Sequence, residues 1–431
     1  MKTAKTTVAA GAILVFAAGL FVLSAGSDRS AGVKRRDKAA LDPGQPFVRP
    51  TSPPGGCPFP PSKDLAGLEF TGRHVEYTDA DTWYPSWASD GKMYSPWTDG
   101  RIGAVSCDSY GDKAATGQAV IEGDDPMALK ITVIGTRPGS PKPYEGRYPC
   151  GSLVFDGVWY YGTYALKNTH YGLNWPVLGP TPGFYVSKDL GRTWQDPPHT
   201  CEPGLTLFPE PSILAGPVKI GAPHFVDFGK NMEHSPDGKA YLVGHGSEEP
   251  DLEDRPANLS WITGDQVYLC RVAPSPETIN DASRYEYYGG RDAAGWPVWT
   301  KDFSLIRPLL EWDNNMGCVT ITYNAPLKKY LMCVTDGVLT IWKFNTYVLE
   351  ADEITGPWRM VAYLKDFGEQ GYFVNFPSKF ISADGRTLWL SYSANFTNGY
   401  LNTRFKSSPE GSRYAMCLQE VKLGTQYQFP N

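Results

Sequence analysis

The stretch "DTWYPSWASDGKMYSPWTDG", residues 81–100, sets three aspartates among five aromatic residues. Asp90 precedes Gly91, and an Asp-Gly pair supplies the positive φ angles of a two-residue hairpin turn, so Asp90 reads as turn punctuation. Asp81 and Asp99 flank that hairpin, and two adjacent strands could bring their carboxyl groups side by side. A carboxylic acid beside a carboxylate is equipped for acid–base work: one protonates a leaving oxygen, the other acts as base or nucleophile. Burial beside rings, or beside a second carboxylate, would raise one pKa and keep that acid protonated near neutrality. No sequence feature decides which is the acid. Trp83, Trp87 and Trp97 are expected to offer flat apolar surface to a bound ligand.

A second concentration lies at residues 221–249, where His224, His234 and His245 stand among Asp227, Asn231, Glu233 and Glu249. The spacing matches no strong metal motif, so no cofactor is expected; a structural calcium is possible but not indicated. His224 and Asp227 are expected to line a substrate cleft, and Glu233 is an alternative general acid. Asp313 and Asn314 in "WDNNMG", and Asn375 in "GYFVNFPSKF", fall near strand ends, where such groups hydrogen-bond ligand hydroxyls or serve turns. There is no G-x-x-x-x-G-K-[ST], G-x-G-x-x-G or G-x-S-x-G, which argues against nucleotide binding and a serine-hydrolase elbow.

The elements that must hold these residues are strands. "LKITVIG", "KAYLVGHG", "QVYLCRV", "GCVTITYN", "LTIWKFNTYVLEA" and "TLWLSYSA" are short or alternating apolar runs bounded by Gly, Pro, Asp and Asn. No stretch after Leu68 keeps a helical apolar period. Five times an Asp-Gly pair precedes an alternating aromatic strand, at Asp90, Asp156, Asp237, Asp336 and Asp384. Five antiparallel units over the span 67–431 predict an all-β, five-bladed β-propeller. A jelly roll or double sandwich could use similar strands, but only with very long loops.

Composition narrows the function classes. A formal charge of −6 and a pI near 5.6 disfavour a nucleic-acid groove. Lys2 and Lys5 precede an unbroken run of apolar and small residues to Ala25, so residues 1–26 read as a signal peptide or N-terminal membrane anchor. The protein is therefore expected to be secreted, periplasmic or at the cell surface, touching a membrane only through that segment. Residues 27–66 are basic and then Pro-rich, and read as a linker. The 8 cysteines show no C-x-x-C spacing; in an exported chain a dispersed even set suggests disulfides, although some could be buried thiols. Asn258 and Asn395 open glycosylation sequons.

The sequence carries two resemblances. "SKDLGRTW", Ser187–Trp194, matches the Asp box of sialidases and other sugar-processing propellers, a fold-supporting turn remote from their active sites. "DTWYPSWASDGKMYSPWTDG", "VYLCRVAPSPETINDASRYEYYGG", "WDNNMGCVTITYNAPLKKYLM" and "EADEITGPWRMV" resemble successive pieces of a family of secreted five-bladed propellers. That family includes the bacterial endo-D-arabinanases and is distantly similar to arabinanases and β-xylosidases. The resemblance implies a glycoside hydrolase of an arabinose- or other furanose-containing polysaccharide. It also implies that Asp81 and Asp99 match the family's catalytic acidic pair. Two alternatives stay open: a polysaccharide lyase using His170, Tyr171 or His224, and a sugar-binding propeller without catalysis. A monomer with a polysaccharide as its partner is expected.

Overall fold

The computed structural model describes residues 46–48, 52–65, 67–109, 113–138, 147–166, 179–200, 202, 204–210, 217–250 and 258–424. Strand after strand begins where an Asp-Gly turn ends. At Asp90 the side chain accepts from the Lys92 amide at 2.9 Å and from the Tyr94 hydroxyl at 2.7 Å, closing the loop before the next strand leaves. At Asp156-Gly157 both residues take positive φ, 48° and 77°, as a mirror-image hairpin turn requires.

The described strands fall into five antiparallel sheets, the blades of a five-bladed β-propeller. The chain enters through β1 (Phe47–Val48) and β2 (Leu68–Tyr77). Blade 1 follows with β3 (Asp79–Asp81), β4 (Ser86–Trp87), β5 (Met93–Ile102), β6 (Val105–Cys107), β7 (Ala115–Glu122) and β8 (Lys130–Pro138). Blade 2 holds β9 (Arg147–Phe155), β10 (Val158–Ala165) and β11 (Phe184–Ser187). Blade 3 holds β12 (Val218–Phe225), β13 (Ala240–Ser247), β14 (Gln266–Val272), β15 (Glu286–Arg291), β16 (Pro297–Thr300) and β17 (Leu310–Glu311). Blade 4 is the meander β18 (Val319–Asn324), β19 (Lys329–Asp336), β20 (Asn345–Ala351) and β21 (Arg359–Leu364). Blade 5 is β22 (Gly371–Asn375), β23 (Thr387–Ala394) and β24 (Met416–Leu423), completed by β2 and β1 in the order β1-β2-β24-β23-β22. β2, near the start of the described residues, thus pairs with β24, the last described strand, and closes the ring.

The innermost strands are β3–β4, β9, β12, β18 and β22, and hydrogen bonds link them all the way around the axis. Val154 N donates to Ser86 Oγ at 2.8 Å, and Gly151 N to His224 Nδ1 at 3.1 Å. Asp227 N donates to Ile321 O at 2.9 Å, and Thr320 Oγ1 to Val374 O at 2.7 Å. Asn375 Nδ2 closes the circuit on Trp83 O at 3.3 Å. The face where these strands begin is called here the entry face, and the opposite one the exit face.

Three expectations need correction. The Pro-rich segment is not a free linker where it is described. Met360 N donates to Pro60 O at 2.8 Å and Ser62 N to Met360 O at 2.7 Å, while Phe59 and Leu65 are buried. It covers the outer edge of β21, whose backbone groups would otherwise be left open. Lys329 anchors it by pairing with Asp64 at 2.6 Å as well as with Asp352 and Glu350. Asp336-Gly337 is not the strand-reversing turn of its blade: β18 and β19 turn at Ala325–Lys328, and Asp336 ends β19 opposite Asn345. The cysteines form no disulfide among the described residues. Cys107, Cys270, Cys318, Cys333 and Cys417 are buried and act as small apolar core groups, and Cys201 lies outside the described residues.

Candidate active site

Asp81 ends β3, at the entry face of the innermost strand of blade 1, and Asp99 lies on the neighbouring β5. The pairing of β3 with β5 sets Asp79 opposite Arg101 and Asp81 opposite Thr98, with a register shift between them. That bulge tilts Asp99 toward the same end as Asp81. Gly100 makes it possible: a Cβ there would stand 2.0 Å from the Asp79 carbonyl oxygen. Asp99-Gly100 is thus a bulge and not a hairpin turn.

Backbone strain gathers at this point. Thr78, Thr82 and Asp99 take φ of 70°, 65° and 46°, a region costly for residues with a side chain and especially for β-branched ones. Phe373, next to Tyr372, has φ of 55°. Strain of this kind costs on the order of 1–3 kcal/mol per residue and tends to be kept at functional sites.

The two carboxyl groups sit in contrasting surroundings. Asp81 is buried; it accepts from Thr82 Oγ1 at 2.8 Å and from Tyr372 Oη at 2.9 Å. Asp99 is half-buried and accepts from Ser109 twice, from the amide at 2.5 Å and the hydroxyl at 2.7 Å. Tyr414 stands beside the pair, donating its hydroxyl to the Asp99 backbone carbonyl. Desolvation, and then the charge of Asp99, hold the Asp81 carboxyl well above the usual carboxylate range. Asp99 is pushed up to about 6, mainly by desolvation, with the Ser109 bonds opposing the shift. Two carboxyl groups that feel one another and differ in burial are suited to opposite protonation states at neutral pH.

The remaining predicted residues disperse along the axis. Trp83 and Trp97 are core: they stack on each other at 6.4 Å and are almost wholly buried, so neither can meet a ligand. Gly117 permits this, since a Cβ there would fall 2.1 Å from the Trp97 indole. Trp87, Asp227 and Asn375 lie toward the exit face, on the wall of a cavity of ≈ 40 Å³ that also touches Tyr84, His224 and Thr322. Neither Asp81 nor Asp99 lines this cavity. Asp227 works there as a staple, accepting from the Ser378 amide and hydroxyl at 2.8 and 2.7 Å and from the Gly229 amide at 3.0 Å.

His224 sits mid-axis and is fully engaged, between the Gly151 amide and Cys318 Sγ at 3.3 Å, and burial lowers its pKa to about 3. Glu233 is exposed in the β12–β13 connection at the exit face, paired with His234, and cannot serve as acid to Asp99. Asp313 and Asn314 are exposed at the entry face; the Asn314 amide donates to Asp265 at 2.8 Å. His170 and Tyr171 lie outside the described residues. Among the described residues no cluster of His, Cys, Asp and Glu could hold a metal ion.

Sequence reasoning missed Tyr372, Tyr414 and Ser109. Tyr372 is the second residue of β22, only three before Asn375, but nothing in its type separates it from the other 24 tyrosines. The Asp box is as expected. Ser187 and Thr193 both bond Asp189, at 2.8 and 2.6 Å, and Trp194 packs edge-on against Tyr161 at 4.9 Å, in blade 2 and away from the acid pair.

No family model matches the sequence, and no curated protein matches it. Among solved structures the chain is similar to a family 117 glycoside hydrolase of the marine bacterium Zobellia galactanivorans. That likeness has 11% identity, covers 84% of this chain and 91% of the other, and has a TM-score of 0.44. It is similar also to a xylan β-1,4-xylosidase of Bacillus halodurans, at 11% identity and TM-score 0.43, covering 80% of this chain and 53% of that one. The chain thus spans about half the xylosidase's length. An α-L-arabinanase of Penicillium chrysogenum follows at 10% identity and TM-score 0.39, with 81% and 98% covered. Likenesses at this level say nothing about substrate.

Proposed function

We propose that this protein is a glycoside hydrolase in which Asp81 and Asp99 are the catalytic pair. The observation that carries the reading is that two carboxyl groups on adjacent strands share one strained, desolvated site at the entry face. Asp81, kept protonated by burial and by its neighbour's charge, is the general acid that protonates the leaving glycosidic oxygen. Asp99, reachable from solvent and oriented by Ser109, is the base or nucleophile. Tyr372, which donates to the Asp81 carboxyl, and Tyr414, which donates to the Asp99 backbone carbonyl, are positioning residues. The sequence resemblance to the endo-D-arabinanase family supports an arabinose- or other furanose-containing polysaccharide as substrate. The N-terminal charge and apolar pattern supports export. No helix among the described residues is long and apolar enough to cross a membrane, and residues 1–26 lie outside them.

A lyase reading needs a His or Tyr base near a cation. Burial holds the Tyr372 phenol far above its ordinary range, and both His224 nitrogens are occupied, so neither supplies that base.

The test is a product screen on arabinan, arabinogalactan and uronic-acid polymers with the wild type, Asp81→Asn and Asp99→Asn. Reducing ends released by the wild type, with at least a hundredfold loss in both variants and unchanged circular dichroism, are expected; a loss of about 10² is typical of removing one acid–base group. Undiminished release by either variant would overturn the assignment. Products absorbing in the ultraviolet would instead mark an elimination.

A further inference from the structure

Blades 4 and 5 carry apolar side chains at the entry face that the fold leaves open. Val338 is 49% and Trp342 51% exposed, and Tyr400 and Leu401 are 65% and 39% exposed. Val338 and Trp342 stand in the connection from β19 to β20, and Tyr400 and Leu401 in that from β23 to β24. Each connection joins the second strand of its blade to the third, so in an antiparallel sheet both lie at the end where the inner strands begin. That is the end that carries Asp81 and Asp99.

Both loops are tied to the acid pair by fixed groups. Gln370 is fully buried; its Nε2 donates to Thr340 O at 2.6 Å and to Trp342 O at 3.0 Å. Its Oε1 accepts from the Thr397 hydroxyl at 2.9 Å, at the start of the single helical turn Thr397–Tyr400. Two residues further on, Tyr372 donates to Asp81. Trp261 braces the same place, packing edge-on against Phe344 and Tyr372 and donating to the Thr340 hydroxyl at 3.3 Å. An exposed ring on a loop so held is preorganised, and less is lost when a ligand settles on it.

The charge pattern selects the ligand. Residues 395–403 include no charged side chain, and residues 337–344 include only Lys343, which pairs with Glu369 at 3.0 Å. Exposed rings edged by amides and hydroxyls, without net charge, suit a ligand with an apolar C–H face and a rim of hydroxyls. The next charges along that connection, Arg404 and Lys406, are exposed beyond the platform.

We propose that Trp342 and Tyr400 are platforms for sugar residues remote from the bond being cut, so that a neutral polysaccharide runs over blades 4 and 5 toward Asp81 and Asp99. This rests on the hydrolase reading and adds to it a preference for long chains. The experiment compares Trp342→Ala and Tyr400→Ala with wild type on arabinan, arabinogalactan and arabinan oligosaccharides of graded length. Trp296→Ala is the control: Trp296 is 71% exposed, next to β16 on blade 3, and has no assigned role.

The expected result is a KM for polymer raised about tenfold in each platform variant with kcat held, and a ratio of polymer to short-oligosaccharide kcat/KM that falls, the signature of lost uniform binding. In native gels containing either polymer, Asp99→Asn is expected to be retarded, and the added Trp342→Ala change to abolish the retardation. Platform variants that match Trp296→Ala on every chain length, or retardation that persists without Trp342, would overturn the inference. So would a change in sedimentation on removing Trp342, which would mean that a second copy covers the patch. If the wild type cleaves neither polymer the hydrolase reading falls by itself, and the gels still decide whether the platforms bind.

Discussion

At the scale of single residues, Asp81 and Asp99 are held in a state that costs the folded protein stability. Both carboxyls stand above their unfolded values, so between about pH 4 and each raised pKa the native chain binds more protons than the unfolded one. Stability contributed at this site is therefore greatest in acid and falls as pH rises through the raised values. For Asp99, raised to about 6, the loss near pH 7.5 is on the order of 3 kcal/mol. Asp99→Asn, which stays neutral, should unfold at a higher urea concentration than wild type at pH 7.5, with the gap closing by pH 4. A midpoint below wild type at pH 7.5 would refute this. The same pair predicts the pH profile of kcat/KM in the wild type. Activity should rise through an apparent pKa near 6 as Asp99 ionises and fall again only where Asp81 does, far above the ordinary carboxylate range; because the two are coupled, both limbs belong to the pair. A rate independent of pH from 5 to 8 would remove the assignment of roles.

At the scale of elements, β2 does more than its place near the start of the described chain suggests. It pairs with β24 from Leu68↔Leu423 to Tyr77↔Met416, and Phe70, fully buried, stacks on Phe47 at 4.9 Å and meets Phe367 at 6.0 Å. Phe70→Ala should cost about 3–5 kcal/mol, the range for truncating a buried Phe, read as a lower urea midpoint at unchanged m-value. Strand existence was legible from the alternating runs, and Asp90, Asp156, Asp237 and Asp384 do mark connections between first and second strands. The fifth Asp-Gly misled, because the pair occurs equally at a strand end: Asp336 is a buried carboxyl bound by Tyr347 at 3.0 Å and pushed up to about 6. Its blade makes the reversal with Ala325–Lys328, a turn without that signature. The tryptophans misled for a related reason. Residue type cannot say whether a ring faces ligand or core, and what seats Trp97 inward is a glycine twenty residues away.

At the scale of the whole molecule, the ring rather than any blade makes the site. Asp81 belongs to blade 1, yet its hydroxyl donor Tyr372 is in blade 5, and Tyr414 reaches Asp99 from the loop before β24. Partners 291 and 315 residues apart in sequence leave no local pattern, which is why the acids were legible and their holders were not. The ring also couples folding to function, because β24 and β2 join the two ends of the chain. A chain beginning after Tyr77 would keep every catalytic candidate but leave β24 with an open edge and strip Leu418 and Val421, both buried, of their cover. The unpaired edge and exposed apolar face would let blade 5 part from blade 1, carrying Tyr372 away from Asp81. Such a chain should therefore be inactive and unfold without a sharp transition. Adding a peptide of residues 46–78 should restore both the transition and the turnover, since it supplies the missing strands. Full activity in the shortened chain without the peptide would show that blade 1 holds Asp81 in place unaided, and that closure of the ring is a matter of stability alone.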